Sequence, residues 1–315
     1  MTGPLACRDL EVPLPDDLSR FGGKVMIRIS GKVGGPPVAV LGGISGNRFV
    51  CTGTDGGGGW WPGLVGQDCA VDPRQYRIIG LDFAADPTGR AAPSTRDQAY
   101  VLGSAIEAAG IQSLHAIVGA SYGGMVALSF AESFPARAER LVIISAPAEP
   151  HPAASAAREL QRRIVGLGML KGAADEALSI ARGLAMLTYR TPEEFAQRFC
   201  GGLPGDDPLS ASEPGLYLRA RGEAFSAAMS CGRFLSLSAS IDRHEIDPAR
   251  IAAPNLLIGA LSDQLVPPGQ IQALAAALQG RTEMHLLESL YGHDMFLKES
   301  EAVGRLVQPF LEGAS

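Results

Sequence analysis

The sequence lacks any concentration of basic residues and any long apolar segment. Its formal net charge at pH 7 is −6, and its Lys and Arg residues are scattered along the chain. Nucleic acids and anionic membranes are bound mainly through clustered Lys and Arg side chains, and a membrane-spanning helix needs about 18 or more consecutive apolar residues. The start of the chain also lacks the basic segment and apolar run of a secretion signal. We therefore expect small-molecule partners, no nucleic-acid or membrane partner, and a cytoplasmic location.

Cysteine is scarce and irregularly placed. The five cysteines are odd in number, far apart and free of CxxC spacing: Cys7, Cys51, Cys69, Cys200 and Cys231. This pattern is not typical of a disulfide framework or of a zinc site. We therefore expect reduced thiols and no bound metal.

What the sequence does contain is apolar residues in short runs. Of the 315 residues, 46% are hydrophobic and 19% are charged, which is typical of a globular protein with a substantial core. Seven runs of strand length are nearly continuous in apolar residues, and most are rich in Val and Ile: 24–30, 37–43, 76–83, 114–121, 140–147, 254–261 and 283–289. Such runs are typical of strands that are covered on both faces, as in a parallel sheet.

Helical patterns separate these runs, at 95–109, 123–133 and 267–279. The alternation predicts an α/β fold with a mostly parallel, doubly wound sheet. Between about 148 and 245 the strand signals vanish, and Ala, Leu, Arg and Glu dominate. We therefore expect a helical lid at 148–245, inserted into a core that is formed by 1–147 and 246–315.

A glycine-rich segment, GTDGGGG at 53–59, has the composition of a phosphate-binding loop. It neither follows a predicted strand directly nor opens a helix, as the GxGxxG loops of nucleotide-binding proteins do. A flexible loop is the favoured interpretation, and a phosphate cradle is the alternative.

The stretch VGASYGG at 118–124 places Ser121 between a predicted strand and a predicted helix. A chain that reverses direction within two or three residues strains the backbone at the turn, and the neighbours of that residue must be small. Gly119 and Gly123 meet that need. The G-x-S-x-G pattern predicts a nucleophile elbow, with the Ser121 hydroxyl beside a helix N-terminus that favours a developing oxyanion. A plain tight turn is the alternative.

A nucleophilic serine needs a base, and the chain order in such sites is serine, acid, histidine. His293 follows the last predicted strand, in SLYGHDMF, whereas the other four histidines lie within strand runs or in the insertion. Asp263 follows the preceding strand, in LLIGALSDQLVPP, where its carboxylate would orient the imidazole. We predict a Ser121–His293–Asp263 triad, and for Asp263 a purely structural carboxylate at a helix start is the alternative.

An oxyanion hole needs two N–H donors. The residue after the nucleophile supplies one, the backbone amide of Tyr122. The second should come from the loop after an early strand, and Ile44 in GGISGN at 42–47 is the candidate. For this loop a plain turn remains the alternative.

At this point the sequence resembles the homoserine O-acyltransferase branch of the α/β-hydrolase superfamily, which moves an acyl group from acetyl-CoA or succinyl-CoA to homoserine during methionine synthesis. The resemblance runs over most of the chain. The matching segments are LGGISGN, WWPGLVGQDCAVDPRQYRIIGLD, GASYGGMVALSFAESFPARAERLVIISA, ALSIARGLAMLTYRTPEEFAQRF, YLRARGEAF, FLSLSASIDRHEIDP, LLIGALSDQLVPP and YGHDMFLKE. The resemblance implies an α/β-hydrolase fold with a helical lid, the same triad, acyl-CoA as co-substrate and no permanently bound cofactor.

The resemblance also implies two residues that bind the acceptor. The family's substrate-contacting arginine falls on Arg182, and its aspartate after the catalytic histidine falls on Asp294. A guanidinium can hold the carboxylate of homoserine, and a carboxylate can pair with its ammonium. Relatives pair through the helical lid, so a homodimer is implied as well. Three segments depart from the family pattern, which places the expected differences around the acyl and acceptor pockets: residues 42–46, 122 and 228–232.

Other functions fit the same triad. With serine in place of homoserine the enzyme would be a serine O-acyltransferase, and with water as acceptor it would be a carboxylesterase or thioesterase. A non-catalytic relative that serves as a binding module is the third alternative. The acetyl or succinyl identity of the donor stays open, because it depends on a few contacts in the pocket.

Overall fold

A computed structural model describes residues 6–52, 58–202 and 204–313. Its centre is an eight-stranded sheet in the order β1-β2-β4-β3-β5-β6-β7-β8. The strands are β1 Ala6–Pro13, β2 Lys24–Gly31, β3 Pro37–Leu41, β4 Arg77–Leu81, β5 Ala116–Ala120, β6 Leu141–Ile144, β7 Asn255–Ala260 and β8 Thr282–Leu287. The pairs from β4 to β8 are all parallel, whereas β1 and β2 add to one edge in antiparallel fashion. The mostly parallel α/β sheet is therefore confirmed.

The strand that the sequence did not predict is the edge strand β1. It lies at the end of the sheet beside β2, and Arg8, Asp9 and Glu11 interrupt its apolar residues. Asp9 accepts two hydrogen bonds from the Arg28 guanidinium across the pair, at 2.7 and 3.0 Å. An edge strand that has charged residues on its solvent-facing side lacks the continuous apolar run of a buried strand. The apolar runs in the sequence therefore did not predict it.

Ten helices surround the sheet in the part of the chain that the structure describes: α1 Thr95–Ala108, α2 Tyr122–Ser133, α3 Pro152–Lys171, α4 Ala174–Tyr189, α5 Pro192–Arg198, α6 Glu213–Ser226, α7 Cys231–Ile241, α8 Pro268–Ala277, α9 Met295–Lys298 and α10 Ser300–Glu312. The start of α1 shows how local sequence sets an end. The Ser94 hydroxyl accepts from the Asp97 amide, and the Asp97 carboxylate accepts from the Ser94 amide. This capping box satisfies two N–H groups that would otherwise lack partners.

The core lies on both faces of the sheet. Alternate residues of β3 point to opposite faces: Val38 and Val40 join one buried cluster, and Ala39 and Leu41 join the other. The second cluster is completed by α1 and α2, and the first by Trp61 and the apolar face of α10. Burial on both faces explains why the parallel strands read as continuous apolar runs rather than as alternating ones.

Helices α3 to α7 lie between β6 and β7, within the segment 148–245. They share a small core of their own around Val165, Leu178 and Phe234. Within the described residues, no helix has the length and apolar character that crossing a membrane would require.

A buried hydrogen-bonded chain holds the base of this helical segment. His244 Nε2–H donates to the Pro147 carbonyl at 3.0 Å, and its Nδ1 accepts from the Thr95 hydroxyl at 2.8 Å. Thr95 in turn accepts from the Ser129 hydroxyl at 2.8 Å. Because Pro147 and His244 flank the two ends of the segment, this chain fixes both ends to α1 and α2. The imidazole has to be neutral for both of its bonds to form.

Burial of His244 gives the fold a specific pH dependence. Burial lowers the pKa of its imidazole to about 4, although the Pro147 carbonyl raises the pKa in the opposite direction. In the unfolded chain the imidazole takes up a proton below about pH 6.5, whereas in the folded protein it stays neutral until about pH 4. We expect this one group to lower the free energy of unfolding by roughly 3 kcal/mol as the pH falls through that window.

Urea unfolding at a series of pH values from 7 to 4 measures this dependence. The His244→Gln variant should be less stable than the native protein at pH 7, and the difference between the two should shrink as the pH falls. A difference that stays constant over the whole range would contradict the assignment.

Candidate active site

Ser121 lies at the sharp turn between β5 and α2. Its backbone has φ 54° and ψ −122°, which is a strained conformation for a residue with a side chain. A Cβ added at Gly123 would lie 2.3 Å from the Leu41 carbonyl oxygen, and one added at Gly119 would lie 2.5 Å from the Gly123 carbonyl oxygen. Only glycine allows the strand, the turn and the helix to approach this closely, as the G-x-S-x-G pattern requires.

The structure brings Ser121, His293 and Asp263 into one hydrogen-bonded chain. Their side chains come from the turn after β5, the loop after β8 and the loop after β7. The distance from Ser121 Oγ to His293 Nε2 is 2.8 Å, and the distance from His293 Nδ1 to Asp263 Oδ2 is also 2.8 Å. A carboxylate only accepts, so Nδ1 carries the proton and donates to Asp263. In the neutral ring Nε2 is then free to accept from the Ser121 hydroxyl.

The Asp263 carboxylate is held rigidly on its other side. Its Oδ1 accepts from the backbone amides of Leu265 and Val266, at 2.9 and 3.0 Å. The side chain has no exposed surface. Both oxygens therefore have defined partners, so the carboxylate fixes the orientation of His293 and stabilises its protonated form.

Burial and nearby charges have opposing effects on the pKa of His293. Burial lowers the pKa of the imidazole, but the charge of Asp263, its hydrogen bond and the charge of Asp294 raise the pKa, and they outweigh the opposing Arg158. The resulting pKa lies above the ordinary value for histidine. A protonated ring cannot accept a proton from Ser121, and the raised pKa favours that form.

The raised pKa of His293 predicts how the acylation rate depends on pH. The rate of acylation of Ser121 should fall as the pH drops through the raised pKa of His293. In Asp294→Asn, which removes one of the charges that raise this pKa, the inflection should move to lower pH. Stopped-flow measurement of the first half-reaction, without acceptor, isolates the effect. The exposed variant Asp175→Asn is the matched control, and an inflection that stays in place in Asp294→Asn would contradict the assignment.

Aromatic side chains brace the loop that carries His293. The Tyr189 ring lies 5.9 Å from the imidazole, and the Phe296 ring lies 6.1 Å from it in an edge-to-face arrangement. Trp61 packs against Phe296 and donates from its indole N–H to the Phe296 carbonyl at 3.0 Å. Segments WWPG and LTYRT, which are distant from the triad in sequence, therefore help to position its histidine.

Two backbone amides near Ser121 have no acceptor in the described chain and could hold an oxyanion. Among the described residues neither the amide of Tyr122 nor that of Ile44 has a hydrogen-bond acceptor. The loop that carries Ile44 is joined to the elbow, because the Gly123 amide donates to the Gly42 carbonyl at 2.8 Å. The Tyr122 side chain points elsewhere: its hydroxyl is buried against Ser240, at 2.6 Å, and burial raises its pKa.

A cavity of about 200 Å³ lies above this chain of residues. Ser121 and His293 line it together with the loop 43–46, Trp60, and residues of α3 and α4. Of the three departures from the family pattern, only the loop 42–46 reaches this cavity. The expectation that all three cluster around the pocket was wrong, because Tyr122 packs into the core and Met229, in the segment 228–232, packs with residues of α3, α4 and α7.

Both predicted acceptor-binding residues line the cavity. The Arg182 guanidinium lies against the rings of Tyr189 and Phe225, 5.1 and 4.8 Å from their centres, and no carboxylate pairs with it among the described residues. Asp294 Oδ2 accepts from Arg190 Nε at 2.9 Å, while its Oδ1 has no partner within the described chain. Arg190 also pairs with Glu194. Arg190 has no local sequence signal for this contact, because only the fold brings it to Asp294.

The phosphate cradle considered for the glycine-rich segment 53–59 falls largely outside the described residues. Residues 53–57 lie outside the described residues, and Gly59 packs against the backbone of Val50. In the described part of the chain, no group of three or more His, Cys, Asp or Glu side chains is arranged to hold a metal ion.

Comparisons with known proteins identify the family of the chain. A family model described as alpha/beta hydrolase fold matches residues 36–300. The chain is 40% identical over 277 residues to the homoserine O-succinyltransferase of Xanthomonas campestris pv. campestris, covering 86% of this chain and 74% of that protein. It is 30% identical over 284 residues to the homoserine O-acetyltransferase of Thermus thermophilus, covering 80% of this chain and 72% of the relative.

Solved structures show the same fold. The homoserine O-acetyltransferase from Bacillus anthracis superposes with a TM-score of 0.85 at 17% identity, covering 98% of both chains. Esterase E22 superposes with a TM-score of 0.84 at 20% identity, covering 98% of this chain and all of that one. At these identities the superpositions establish the fold alone, and the expected α/β-hydrolase architecture is confirmed.

Proposed function

The chain belongs to the α/β-hydrolase fold family and to its homoserine O-acyltransferase branch, and on this premise we propose that it transfers an acyl group from acyl-CoA to the hydroxyl of homoserine through an acyl-serine intermediate. The observation that carries the mechanism is the hydrogen-bonded chain from Ser121 through His293 to Asp263. Metabolically, such a reaction activates homoserine on the way to methionine.

In the first half-reaction Ser121 is the nucleophile. Its oxygen attacks the thioester carbonyl as its proton passes to His293 Nε2, and the charge that develops on the carbonyl oxygen is held by the amides of Tyr122 and Ile44. When the intermediate collapses, the C–S bond breaks and His293 returns the proton to the sulfur of CoA. The products are free CoA and an ester on Ser121.

In the second half-reaction the homoserine hydroxyl takes the place of CoA. His293 accepts the proton of that hydroxyl as its oxygen attacks the acyl-serine carbonyl, and the same amides hold the oxyanion. The bond between the acyl carbon and the Ser121 oxygen then breaks, and His293 returns the proton to Ser121. Because both half-reactions use one site in turn, ping-pong kinetics are expected.

Arg182 and Asp294 are proposed to orient the acceptor. Within the described part of the chain the Arg182 guanidinium has no carboxylate partner, so it is available for the carboxylate of an amino acid. The unpartnered Oδ1 of Asp294 is available for the ammonium. An amino-acid clamp of this kind has no use in a simple ester hydrolase, and it favours transfer to homoserine over a carboxylesterase or thioesterase reaction.

Transfer also requires that water be kept from the acyl-enzyme. We propose that residues 148–245 act as a lid over a core formed by 1–147 and 246–315. Helix α3 and the end of α4 contribute walls of the cavity, and Tyr189 at the end of α4 lies against the His293 ring. The lid thus covers the acyl group and packs against the general base.

A kinetic assay of acyl transfer tests the proposed function. Acetyl-CoA and succinyl-CoA are each combined with homoserine, serine or no acceptor, while CoA release and O-acylated product are both measured. We expect product with homoserine, parallel double-reciprocal lines, and CoA release without acceptor at least roughly tenfold slower. CoA release that is independent of any acceptor would identify a thioesterase, and a preference for serine would identify a serine O-acyltransferase. If Ser121 did not react with a fluorophosphonate probe, that result would support a non-catalytic relative.

We also propose a homodimer that forms through the lid. Helix α3 leaves Leu160, Leu167 and Leu170 on its solvent face, with Leu170 82% and Leu167 62% exposed, and α4 adds Ile180 and Leu187. Clusters of exposed apolar side chains mark interaction surfaces.

The five cysteines are free, which suits the reducing cytoplasm that we propose as the location.

A charged substitution tests this surface. Leu170→Glu leaves the buried core untouched, so we expect a folded monomer where the native protein is a dimer. Sedimentation velocity over a range of concentrations distinguishes the two. The exposed variant Leu209→Glu, which lies away from α3 and α4 in sequence, is the control, and a dimer that survives Leu170→Glu and Leu167→Glu together would contradict the proposed interface.

A further inference from the structure

The cavity contains a second guanidinium that the acceptor does not need. Homoserine carries one carboxylate, and Arg182 is assigned to it. Arg158, on helix α3, lines the same cavity as Ser121 and His293. An acetyl group would bring no charge for this second arginine to bind.

Arg158 is held in place but is only partly satisfied. Its Nε and Nη2 atoms lie 2.8 and 2.6 Å from Asp242 Oδ1, and Nη2 also donates to the Ser155 hydroxyl at 3.1 Å. Its remaining nitrogen, Nη1, has no partner among the described residues. The guanidinium is thus fixed in orientation with two N–H groups left over, as in a preorganised anion site.

The Asp242 carboxylate does not neutralise this region. It also accepts from Arg162 Nη1 at 2.6 Å, so two guanidiniums share one carboxylate. Arg162 Nη1 also donates to the carbonyl and hydroxyl oxygens of Ser238. One positive charge is left over, and of the two arginines only Arg158 lines the cavity.

Gln161 is an independent pointer to the same site. It lies three residues after Arg158, which places the two side chains on one face of α3. Its side chain lines the cavity and the residue is only 4% exposed, yet its amide has no hydrogen-bond partner in the described chain. The side chain is largely buried, and its unpartnered amide is therefore available to a ligand in the cavity that it lines.

We propose that Arg158 and Gln161 bind a carboxylate at the far end of the acyl group, so that the donor is a dicarboxylic acyl thioester of the succinyl type. This assignment rests on the proposed acyl transfer. The donor carboxylate would accept from Arg158 Nη1 and from the Gln161 amide while the thioester carbonyl lies at Ser121. An acetyl group ends two carbons short of that carboxylate and carries no charge, so it would make no contact that rewards either polar group.

The test compares donors that differ in one group. Succinyl-CoA and butyryl-CoA have acyl chains of the same length, but only succinyl-CoA has the terminal carboxylate, and acetyl-CoA is the shorter neutral donor. The value of kcat/KM for each donor is measured with saturating homoserine in the native protein, Gln161→Leu, Arg158→Gln and the exposed control Arg243→Gln. In the native protein we expect succinyl-CoA to be preferred over butyryl-CoA by roughly 100-fold or more.

The variants separate this site from a structural role. We expect Gln161→Leu to reduce the succinyl preference roughly tenfold and Arg158→Gln to reduce it roughly 100-fold, with the ratio unchanged in Arg243→Gln. The KM for homoserine should change by less than about threefold in Gln161→Leu, because the acceptor uses other residues. Gln161→Leu breaks no existing hydrogen bond, so it remains decisive if Arg158→Gln does not fold.

Each contrary result has a separate meaning. A native enzyme that uses butyryl-CoA or acetyl-CoA as well as succinyl-CoA, or a Gln161→Leu variant that slows all donors equally, would overturn the assignment of the carboxylate site. A Gln161→Leu variant that raises the KM for homoserine alone would assign the residue to the acceptor instead and overturn it too. Loss of the proposed transferase function is seen differently, as CoA release that homoserine does not accelerate. The donor preference can still be read from that release.

Discussion

Replacing Ser121 with alanine is expected to lower the rate of acyl transfer by at least about 10⁴-fold. The oxygen that forms the ester with the acyl group is lost, and no other hydroxyl accepts a hydrogen bond from, or donates one to, His293 in the described chain. The residual rate should reflect only binding and the oxyanion amides. Measurement of O-acylhomoserine by mass spectrometry, alongside CoA release, detects both transfer and hydrolysis.

The structure offers a matched control for this substitution. Ser145 is also buried and also has a positive φ, 49°, at the end of a parallel strand, but it does not line the cavity. Ser145→Ala should therefore keep the activity within about threefold while making the same chemical change. If Ser121→Ala retained a tenth of the native rate, the covalent mechanism would be wrong.

Replacing Asp263 with asparagine is expected to lower the rate of Ser121 acylation by about 10⁴-fold without disturbing the fold. The amides of Leu265 and Val266 donate to Oδ1, so the asparagine oxygen would occupy that position. Its NH₂ group would then face His293 Nδ1. The ring would have to accept there and carry its proton on Nε2, where it could no longer accept from Ser121.

The pH dependence and a second aspartate separate this effect from a general loss of charge. Deprotonation of the His293 ring to the anion is not accessible, so Asp263→Asn should stay slow across the neutral range. Asp294→Asn also removes a negative charge near His293, but it leaves the hydrogen bond at Nδ1 intact, and its acylation rate above the inflection should be within about tenfold of the native rate. Equal losses in the two variants would show that charge alone, rather than the tautomer, is what Asp263 supplies.

Most of the fold and part of the site could be predicted from local sequence. Strands β3 to β7 were predictable because burial on both faces produces continuous apolar runs. The elbow was predictable because three elements meet where only glycine fits. The positions of Asp263 and His293 followed from chain order and from the rule that loops at the carboxyl ends of parallel strands meet.

The remaining parts of the site were not readable locally. Arg190 contacts Asp294, and Tyr189 contacts His293, only because the helical segment between β6 and β7 folds back toward the triad. Arg158 and Gln161 look in sequence like ordinary polar residues of a lid helix, and nothing near them shows that their face of α3 lines a cavity. The proposed role of Arg182 likewise came from family resemblance, because a lone arginine on a helix carries no local signal.

The central claim is that an ester forms on Ser121 before the acceptor reacts. Mass spectrometry of the protein after brief mixing with acyl-CoA tests it most directly. Without acceptor we predict one acyl group per chain, located on the peptide that contains Ser121, and its transfer to homoserine when homoserine is added. A chain that forms O-acylhomoserine at the full rate but never carries an acyl group at Ser121 would contradict the account.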